Sequence, residues 1–97
     1  QSSDIRLKEN IKNIDNASDK LERISGVYFN WRDSKKTAVG VIAQEIQKVL
    51  PEVVSEDNKG YLNVDYGGIV PLLIETVKEQ KSTIQNLEKR ISQLEGK

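Results

Sequence analysis

The residues best suited to chemistry lie near the start of the sequence, where Lys8 follows Ser3 after five positions. A serine hydroxyl attacks an amide carbonyl only when a base removes its proton, and a neutral lysine amine can be that base. A free lysine is charged at pH 7, so burial or a nearby cation such as Arg6 must favour the neutral amine, which Glu9 opposes. The chain has no histidine and no cysteine, so a serine–lysine pair is the nucleophilic arrangement that remains.

The spacing sets a geometric condition on this pair. In an extended strand, Ser3 and Lys8 lie about 16 Å apart on opposite faces, and a spacing of five is also off one face of a helix. The chain must therefore turn between them, or the two residues must come from different chains. Serine and lysine occur at this spacing by chance in many proteins, and spacing alone favours an ordinary loop serine beside a solvated lysine.

The elements around this pair are predicted to be short. The alternation of Ile5 and Leu7 with polar residues indicates a short extended segment. The stretch NASDKLERISG is typical of a helix that Asn16 caps and that Gly26 stops in a left-handed conformation. The acidic residues in and just before this stretch, Asp15, Asp19 and Glu22, fit a solvated helix face better than a metal site.

Two β-hairpins and a helix are predicted in the middle of the chain. The strand VYFNWR, with Phe29 and Trp31 directed to the core, pairs with TAVGVI, and AQEIQKVL then forms a helix that Pro51 stops. A second hairpin joins Val53–Ser55 to Tyr61–Val64 through a turn at residues 57–60. The fold class is therefore α+β.

A single long helix is predicted from about residue 66 to residue 95. Gly67, Gly68 and Pro71 are poor helix formers and allow a kinked or late start. Thirty helical residues span about 45 Å, whereas a compact domain of this length is roughly 25 Å across. The helix must protrude from the domain.

The protruding helix carries an apolar heptad stripe, which we call the seam. A helix packed on its own domain is the alternative, but no other element is long enough to cover the distal half. The sequence therefore predicts a self-associating coiled coil, in which β-branched residues at a and leucine at d favour two parallel chains and the polar Gln80 sets the register. The seam residues are Val70, Val77, Ile84 and Ile91 at position a, and Leu73, Gln80, Leu87 and Leu94 at position d.

Composition excludes several classes of function. Hydrophobic residues make up 36% of 97 residues, so the core is small and oligomerisation is the expected remedy. Fifteen basic residues balance fifteen acidic ones, which argues against non-specific nucleic-acid binding. No apolar run approaches the ~20 residues of a membrane span, and no phosphate-binding loop is present. The start without methionine suggests a piece of a longer protein.

Four stretches, taken in order, resemble a known family. They are SSDIRLKENI, GVYFNWR, VGVIAQEIQKVLPEVV and GYLNVDYGGIVPLLIETVKEQ. In this order they resemble the C-terminal intramolecular chaperone domain of phage tail spikes and tail fibres, of which the endosialidase tail spikes are the best-known members. The similarity covers nearly the whole chain, and SDIRLKENI, IAQEIQKVLPE and YLNVDY are its most specific parts.

The resemblance implies an assembly function that ends in self-cleavage. It implies a parallel trimeric coiled coil, against the dimer that the seam favours, and transient contact with the β-rich stem of the same precursor. Ser3 matches the family's nucleophile and Lys8 its lysine, so the bond cut is Ser3–Asp4. It divides the chain into the end of the stem (1–3), a globular α+β region (4–65) and the coiled-coil helix (66–97). It implies no cofactor, metal, nucleic acid or membrane, and places the domain in the host-cell cytoplasm during phage assembly and outside the mature virion.

Two alternatives remain open at this point. The first is a structural trimerisation tip that stays on its protein and carries out no chemistry. The second is the similar self-cleaving domain of some membrane-tethered transcription factors in eukaryotes, where scission releases a regulator. Mass spectrometry of a chain extended upstream separates the first alternative from self-cleavage. A structural tip gives one intact chain, whereas self-cleavage gives two fragments.

Overall fold

The computed structural model describes residues 2–96 as an α+β domain with a long C-terminal helix. Gln1 and Lys97, which the predicted segments 1–3 and 66–97 include, lie outside the described residues. Three short 3₁₀ turns, at Ile5–Leu7, Pro51–Val53 and Tyr66–Gly68, punctuate the chain. The helices and strands are α1 (Ala17–Glu22), β1 (Val27–Asn30), β2 (Thr37–Gly40), α2 (Ala43–Val49), β3 (Val54–Glu56), β4 (Leu62–Val64) and α3 (Ile69–Glu95).

Both predicted hairpins are confirmed as separate two-stranded antiparallel sheets. Strands β1 and β2 pair Val27 with Gly40, and β3 and β4 pair Val54 with Val64. The turn of the second hairpin is closed by Asp57, whose carboxylate accepts hydrogen bonds from the backbone N–H of Lys59 (2.8 Å) and Tyr61 (3.0 Å). Each hairpin is short, so both depend on the helices for their position.

The core is small and lies where α1, α2 and the first turns of α3 meet. Ile46 and Leu72 are its two large, fully buried side chains, with Ala17 and Val49 beside them. Thr76 is the one polar residue buried within the described part of the chain, and its hydroxyl donates a 2.8 Å hydrogen bond to the Leu72 carbonyl. This core fixes the N-terminal third of α3 against the domain and leaves the rest of the helix outside it.

The late start predicted for the long helix is confirmed. Asp65 caps the preceding 3₁₀ turn by accepting a 3.1 Å hydrogen bond from the Gly67 N–H. A side chain at Gly68 would collide with Val53, so glycine is required for the close approach at this point. Helix α3 then runs for 27 residues, about 40 Å, in a molecule whose longest dimension is 63 Å.

Three local predictions about residues 5–7, Gly26 and Trp31 are wrong. Residues 5–7 form a 3₁₀ turn instead of an extended segment, because the Asp4 side chain caps the Arg6 N–H. Helix α1 ends at Glu22, and Gly60 is the only glycine among residues 2–96 with a positive φ, so Gly26 makes no left-handed stop. Trp31 lies beyond β1 and is 55% exposed, although its ring packs edge-on against Phe29 at 4.9 Å.

Candidate functional site

The N-terminal arm, residues 2–12, turns between the two residues proposed for chemistry. The Asp4 carboxylate accepts a 2.9 Å hydrogen bond from the Arg6 N–H and starts a 3₁₀ turn over Ile5–Leu7. The turn closes when the Lys8 N–H donates to the Ile5 carbonyl at 3.1 Å. With a rise of about 2 Å per residue in the turn, the path from Ser3 to Lys8 shortens to about 13 Å.

The charge of Arg6 is paired within the arm. Its guanidinium binds the Asp4 carboxylate in a bidentate manner, with Nη2–Oδ2 at 2.8 Å and Nε–Oδ1 at 3.1 Å. This side-chain pairing lowers the pKa of Asp4 and raises the pKa of Arg6. The cation that the sequence placed beside Lys8 is therefore engaged with Asp4 on the surface.

A single chain does not bring the proposed catalytic pair together. Ser3 and Lys8 are both exposed, and within residues 2–96 no hydrogen bond joins them. The local turn that the pair requires is present, but the environment that desolvates a lysine amine is not provided by one copy. The assignments of Ser3 and Lys8 as catalytic residues and of Ser3–Asp4 as the cleavage site stay predictions.

The arm is fastened to the long helix just beyond residue 12. The Asn13 side chain donates a 2.8 Å hydrogen bond from Nδ2 to Oε1 of Glu75. The first two N–H groups of α1, from Ala17 and Ser18, donate to Oε1 (2.8 Å) and Oε2 (2.9 Å) of Glu79. We call Glu75 and Glu79 the carboxylate clamp, because both hold the root of the arm against α3.

Glu79 caps the start of helix α1, a role that the sequence pattern predicts for Asn16. Asn16 is left-handed (φ 48°, ψ 41°) and its side chain makes no capping hydrogen bond, so the prediction for it is wrong. Hydrogen bonds from Ser18, followed by that from the Ala17 N–H, lower the pKa of Glu79. The residue is thus held in the charged form that two N–H donors at a helix start favour.

Sequence reasoning missed the clamp because its contacts join residues 61 and 62 positions apart. One signal was available. Glu75 and Glu79 are like charges at i and i+4 of a helix, an arrangement that destabilises a helix unless donors from elsewhere meet it.

The seam of α3 is exposed along its whole length. Its apolar side chains keep 44–67% of their surface accessible in a single chain. The buried residues Leu72 and Thr76 lie about 100° away around the helix, so the seam faces neither α1 nor α2. The alternative in which the seam packs on its own domain is therefore wrong. The seam residues with measured exposure are Val70, Leu73, Val77, Ile84, Leu87, Ile91 and Leu94.

The chain as a whole exposes more surface than a monomer of its mass. Its accessible surface is 8441 Å², against about 5,600 Å² for a compact monomeric protein of 11.0 kDa. Its radius of gyration is 18.5 Å, against about 12.5 Å for a compact domain of 97 residues. The chain is therefore more extended than a compact monomer, and the apolar seam lies on its exposed surface.

The described part of the chain has neither a metal-binding cluster nor a membrane-spanning helix. Residues 2–96 contain no group of three or more acidic, histidine or cysteine side chains arranged to hold a metal ion. Over the same residues, no helix combines the length and the apolar character needed to cross a bilayer.

Comparison with known proteins identifies a family and several relatives. Residues 3–55 match the model of a peptidase family described as "chaperone of endosialidase". The long tail fibre proteins Gp37 of Enterobacteria phages K3 and T2 are each 40% identical over 98 residues, covering 92% of this chain and 8% and 7% of the relatives. Gp37 of Enterobacteria phage M1 is 33% identical over 97 residues, covering 88% of this chain and 38% of that protein. The chain therefore spans less than half the length of each of these relatives.

Proposed function

The chain belongs to the chaperone-of-endosialidase family, and on that premise we propose that it is the intramolecular chaperone of a phage tail fibre. It trimerises the fibre precursor through α3, holds three stems in register while they fold, and then cuts itself off between Ser3 and Asp4. Residues 1–3 stay on the stem, residues 4–65 form the globular region, and residues 66–97 form the coiled coil.

The observation that carries this proposal is the seam, which lies exposed on α3 with nothing among residues 2–96 to cover it. Three copies in parallel bury the seam along almost four heptads. We follow the family in choosing three chains over the two that β-branched a and leucine d residues favour, because contacts of the globular regions add to those of the coil. The coil holds the stems at an effective concentration of ~mM, which speeds the slow, non-local pairing of β-rich fibres.

The chemistry of scission is a hydrolysis that begins with a proton transfer. Neutral Lys8 takes the proton of the Ser3 hydroxyl, whose oxygen attacks the scissile carbonyl carbon and forms an ester as the C–N bond of Ser3–Asp4 breaks. The protonated amine returns the proton to the Asp4 nitrogen, and a water molecule then hydrolyses the ester. Water supplies the oxygen of the new carboxylate on Ser3. A serine hydroxyl that attacked its own carbonyl would close a strained four-membered ring, so Ser3 acts on the bond of a neighbouring chain or through a water. Either route requires assembled chains or a site that excludes bulk solvent.

A second candidate function is a trimerisation tip that remains on the fibre without chemistry. It is favoured by one observation, that Ser3 and Lys8 are exposed and unbonded to each other within residues 2–96. The two candidates share the trimer and differ only in whether the arm is cut.

The experiment that separates them uses the full-length precursor with its upstream stem. The wild type is expected to form trimers and to yield two fragments by mass spectrometry, the smaller one starting at Asp4. Ser3→Ala and Lys8→Ala are expected to trimerise and stay whole, while the matched control Ser2→Ala is cut. An uncut wild-type trimer supports the structural tip, a variant of Ser3 that is still cut at Asp4 contradicts the nucleophile, and a folded monomer contradicts the proposal as a whole.

Scission has a consequence for location. The chaperone acts in the host-cell cytoplasm while the phage assembles, and it is absent from the mature virion after cleavage. Loss of the template makes assembly irreversible, so the stability of the finished fibre becomes kinetic. Purified virions should therefore contain the stem and lack residues 4–97, which an antibody against α3 tests directly.

A further inference from the structure

We infer that the carboxylate clamp couples assembly to scission, and that Glu79 is a positioning residue for the cut. The inference rests on the proposed self-cleavage and goes beyond it by naming the link between the coiled coil and the arm. Glu79 touches neither Ser3 nor Asp4. It acts through α1, whose first N–H groups it holds at 2.8 and 2.9 Å.

The first step of the argument is that the arm has no earlier anchor. Within the described residues, the hydrogen bonds of residues 2–12 join only members of that segment. The bond between Asn13 and Glu75 is the first to reach another element, five positions after Lys8. The first hydrogen-bonded attachment of the segment that carries Lys8 is therefore at the clamp.

The second step is that the clamp and the seam occupy different sides of one helix. At 3.5 residues per turn, Glu75 and Glu79 are centred about 150° from the seam. Partner chains can cover the seam while the clamp keeps the root of the arm on the outside of the coil. Once three helices share a register, all three arms start from equivalent points.

The third step is energetic. Two glutamates at i and i+4 repel each other, and Lys78, 3.6 Å from Glu75, is the one cation that pairs with either of them within residues 2–96. Hydrogen-bond donors offset this repulsion. Asn13 donates to Glu75, and the N–H groups of residues 17 and 18 donate to Glu79. The two glutamates are thus stabilised by the root of the arm and the start of α1, and their repulsion would destabilise α3 without these donors.

The test compares Glu79→Gln with Glu88→Gln in the full-length precursor. Glu88 is an exposed glutamate of α3 that makes no hydrogen bond or ion pair within the described residues, so it is the matched control. Glutamine at position 79 keeps one acceptor and turns an NH₂ group towards the second N–H donor. We expect Glu79→Gln to trimerise like the wild type and to cut itself more slowly by on the order of tenfold to a hundredfold. Glu88→Gln should cut at the wild-type rate.

Two further measurements distinguish positioning from a general loss of structure. Amide hydrogen exchange should lose protection at Ala17 and Ser18 and keep it along residues 72–80 of α3. The rate of scission should also change its pH profile, with the midpoint moving to higher pH, because a loosely held arm is less able to keep an uncharged base. A purely structural defect lowers the rate by the same factor at every pH and leaves the midpoint in place.

The outcomes are distinct. A Glu79→Gln trimer that cuts at the wild-type rate overturns the clamp and leaves self-cleavage standing. A Glu79→Gln chain that no longer trimerises overturns the separation of clamp and seam. An uncut wild type overturns self-cleavage itself, and with it the inference. If Glu79→Gln fails to fold, Asn13→Ala, which removes only the bond to Glu75, should still slow the cut by a smaller factor, and an unchanged rate overturns the inference.

Discussion

The two halves of α3 share one seam but differ in how they are held. The proximal half, residues 69–80, buries Leu72 and Thr76, and its Glu75 and Glu79 bind the root of the arm and the start of α1. The distal half, residues 81–95, is exposed at every position and has no hydrogen bond to another element within the described residues. One half is stabilised by its own chain, and the other has only its seam.

This difference indicates an order of events in folding. An isolated helix of about 15 residues is marginal in water, so the distal half gains stability only when its seam is buried. The proximal half folds with the globular region of each chain and does not wait for partners. Under the proposed function, each chain would first fold its globular base, and the distal helix would become stable when three chains assemble.

The largest effect is expected from a charge in the distal seam. Ile84→Asp places one carboxylate per chain in the apolar seam, at a cost of several kcal/mol for each uncompensated charge. Sedimentation should find a monomer at concentrations where the wild type is assembled, and circular dichroism should show loss of the distal helix. The matched control Gln85→Asp, on the next position outside the seam, should assemble normally. Assembly of both variants would mean that the distal half is not the interface.

Two neighbouring leucines of the proximal half should respond in different ways. Leu72 is fully buried, and Leu72→Ala should destabilise the fold of each chain by about 2–5 kcal/mol. Leu73 is 44% exposed and belongs to the seam, so Leu73→Ala should weaken assembly and leave the isolated chain little changed. Thermal melts at several protein concentrations separate them: the Leu73→Ala deficit grows with dilution and the Leu72→Ala deficit does not. The same dependence for both would remove the distinction between core and seam.

Acid should release the clamp before it affects the seam. Hydrogen bonds from Ser18 and Ala17 lower the pKa of Glu79, whereas the nearby Asp15 acts in the opposite direction. A carboxylate with a lowered folded pKa stabilises the fold above its unfolded value, about 4.3, and this contribution is lost as pH falls through the folded value. Amide exchange at Ala17 and Ser18 should therefore accelerate below about pH 4. Glu79→Gln should lack this acid step, and the same step in both proteins would assign it to another carboxylate.

Much of the fold was predictable because it rests on local patterns. The alternation in VYFNWR and the turn residues at 57–60 predicted both hairpins, and Pro51 marked the end of α2. The exceptions have local causes that propensity does not capture. Asp4 forms a capped turn with Arg6 where alternation predicts an extended segment, and Trp31 falls one residue beyond the end of β1.

The candidate site was predictable only in part. The seam repeats every seven residues, so the sequence of one helix is enough to predict its position. The clamp joins α3 to a segment more than 60 positions earlier, and no periodicity records such a pairing. Asn16 is an example of a wrong prediction that follows. It is a good capping residue by type, but it takes a left-handed conformation, and Glu79 caps α1 in its place. The Ser3–Lys8 assignment depends on contacts that one chain does not contain, and it stays a prediction.

The smallest effect is expected at the boundary between the halves. Gln80 is the one polar residue of the seam, and it is exposed in a single chain. Gln80→Leu replaces an amide that assembly must desolvate with an apolar side chain, and a gain of about 1 kcal/mol would raise the melting midpoint by about 4–8 °C. The control Gln85→Leu, outside the seam, should leave the midpoint unchanged. A lower midpoint for Gln80→Leu would contradict this expectation. It would mean that the Gln80 amides make hydrogen bonds between chains that stabilise the assembly more than an apolar side chain does.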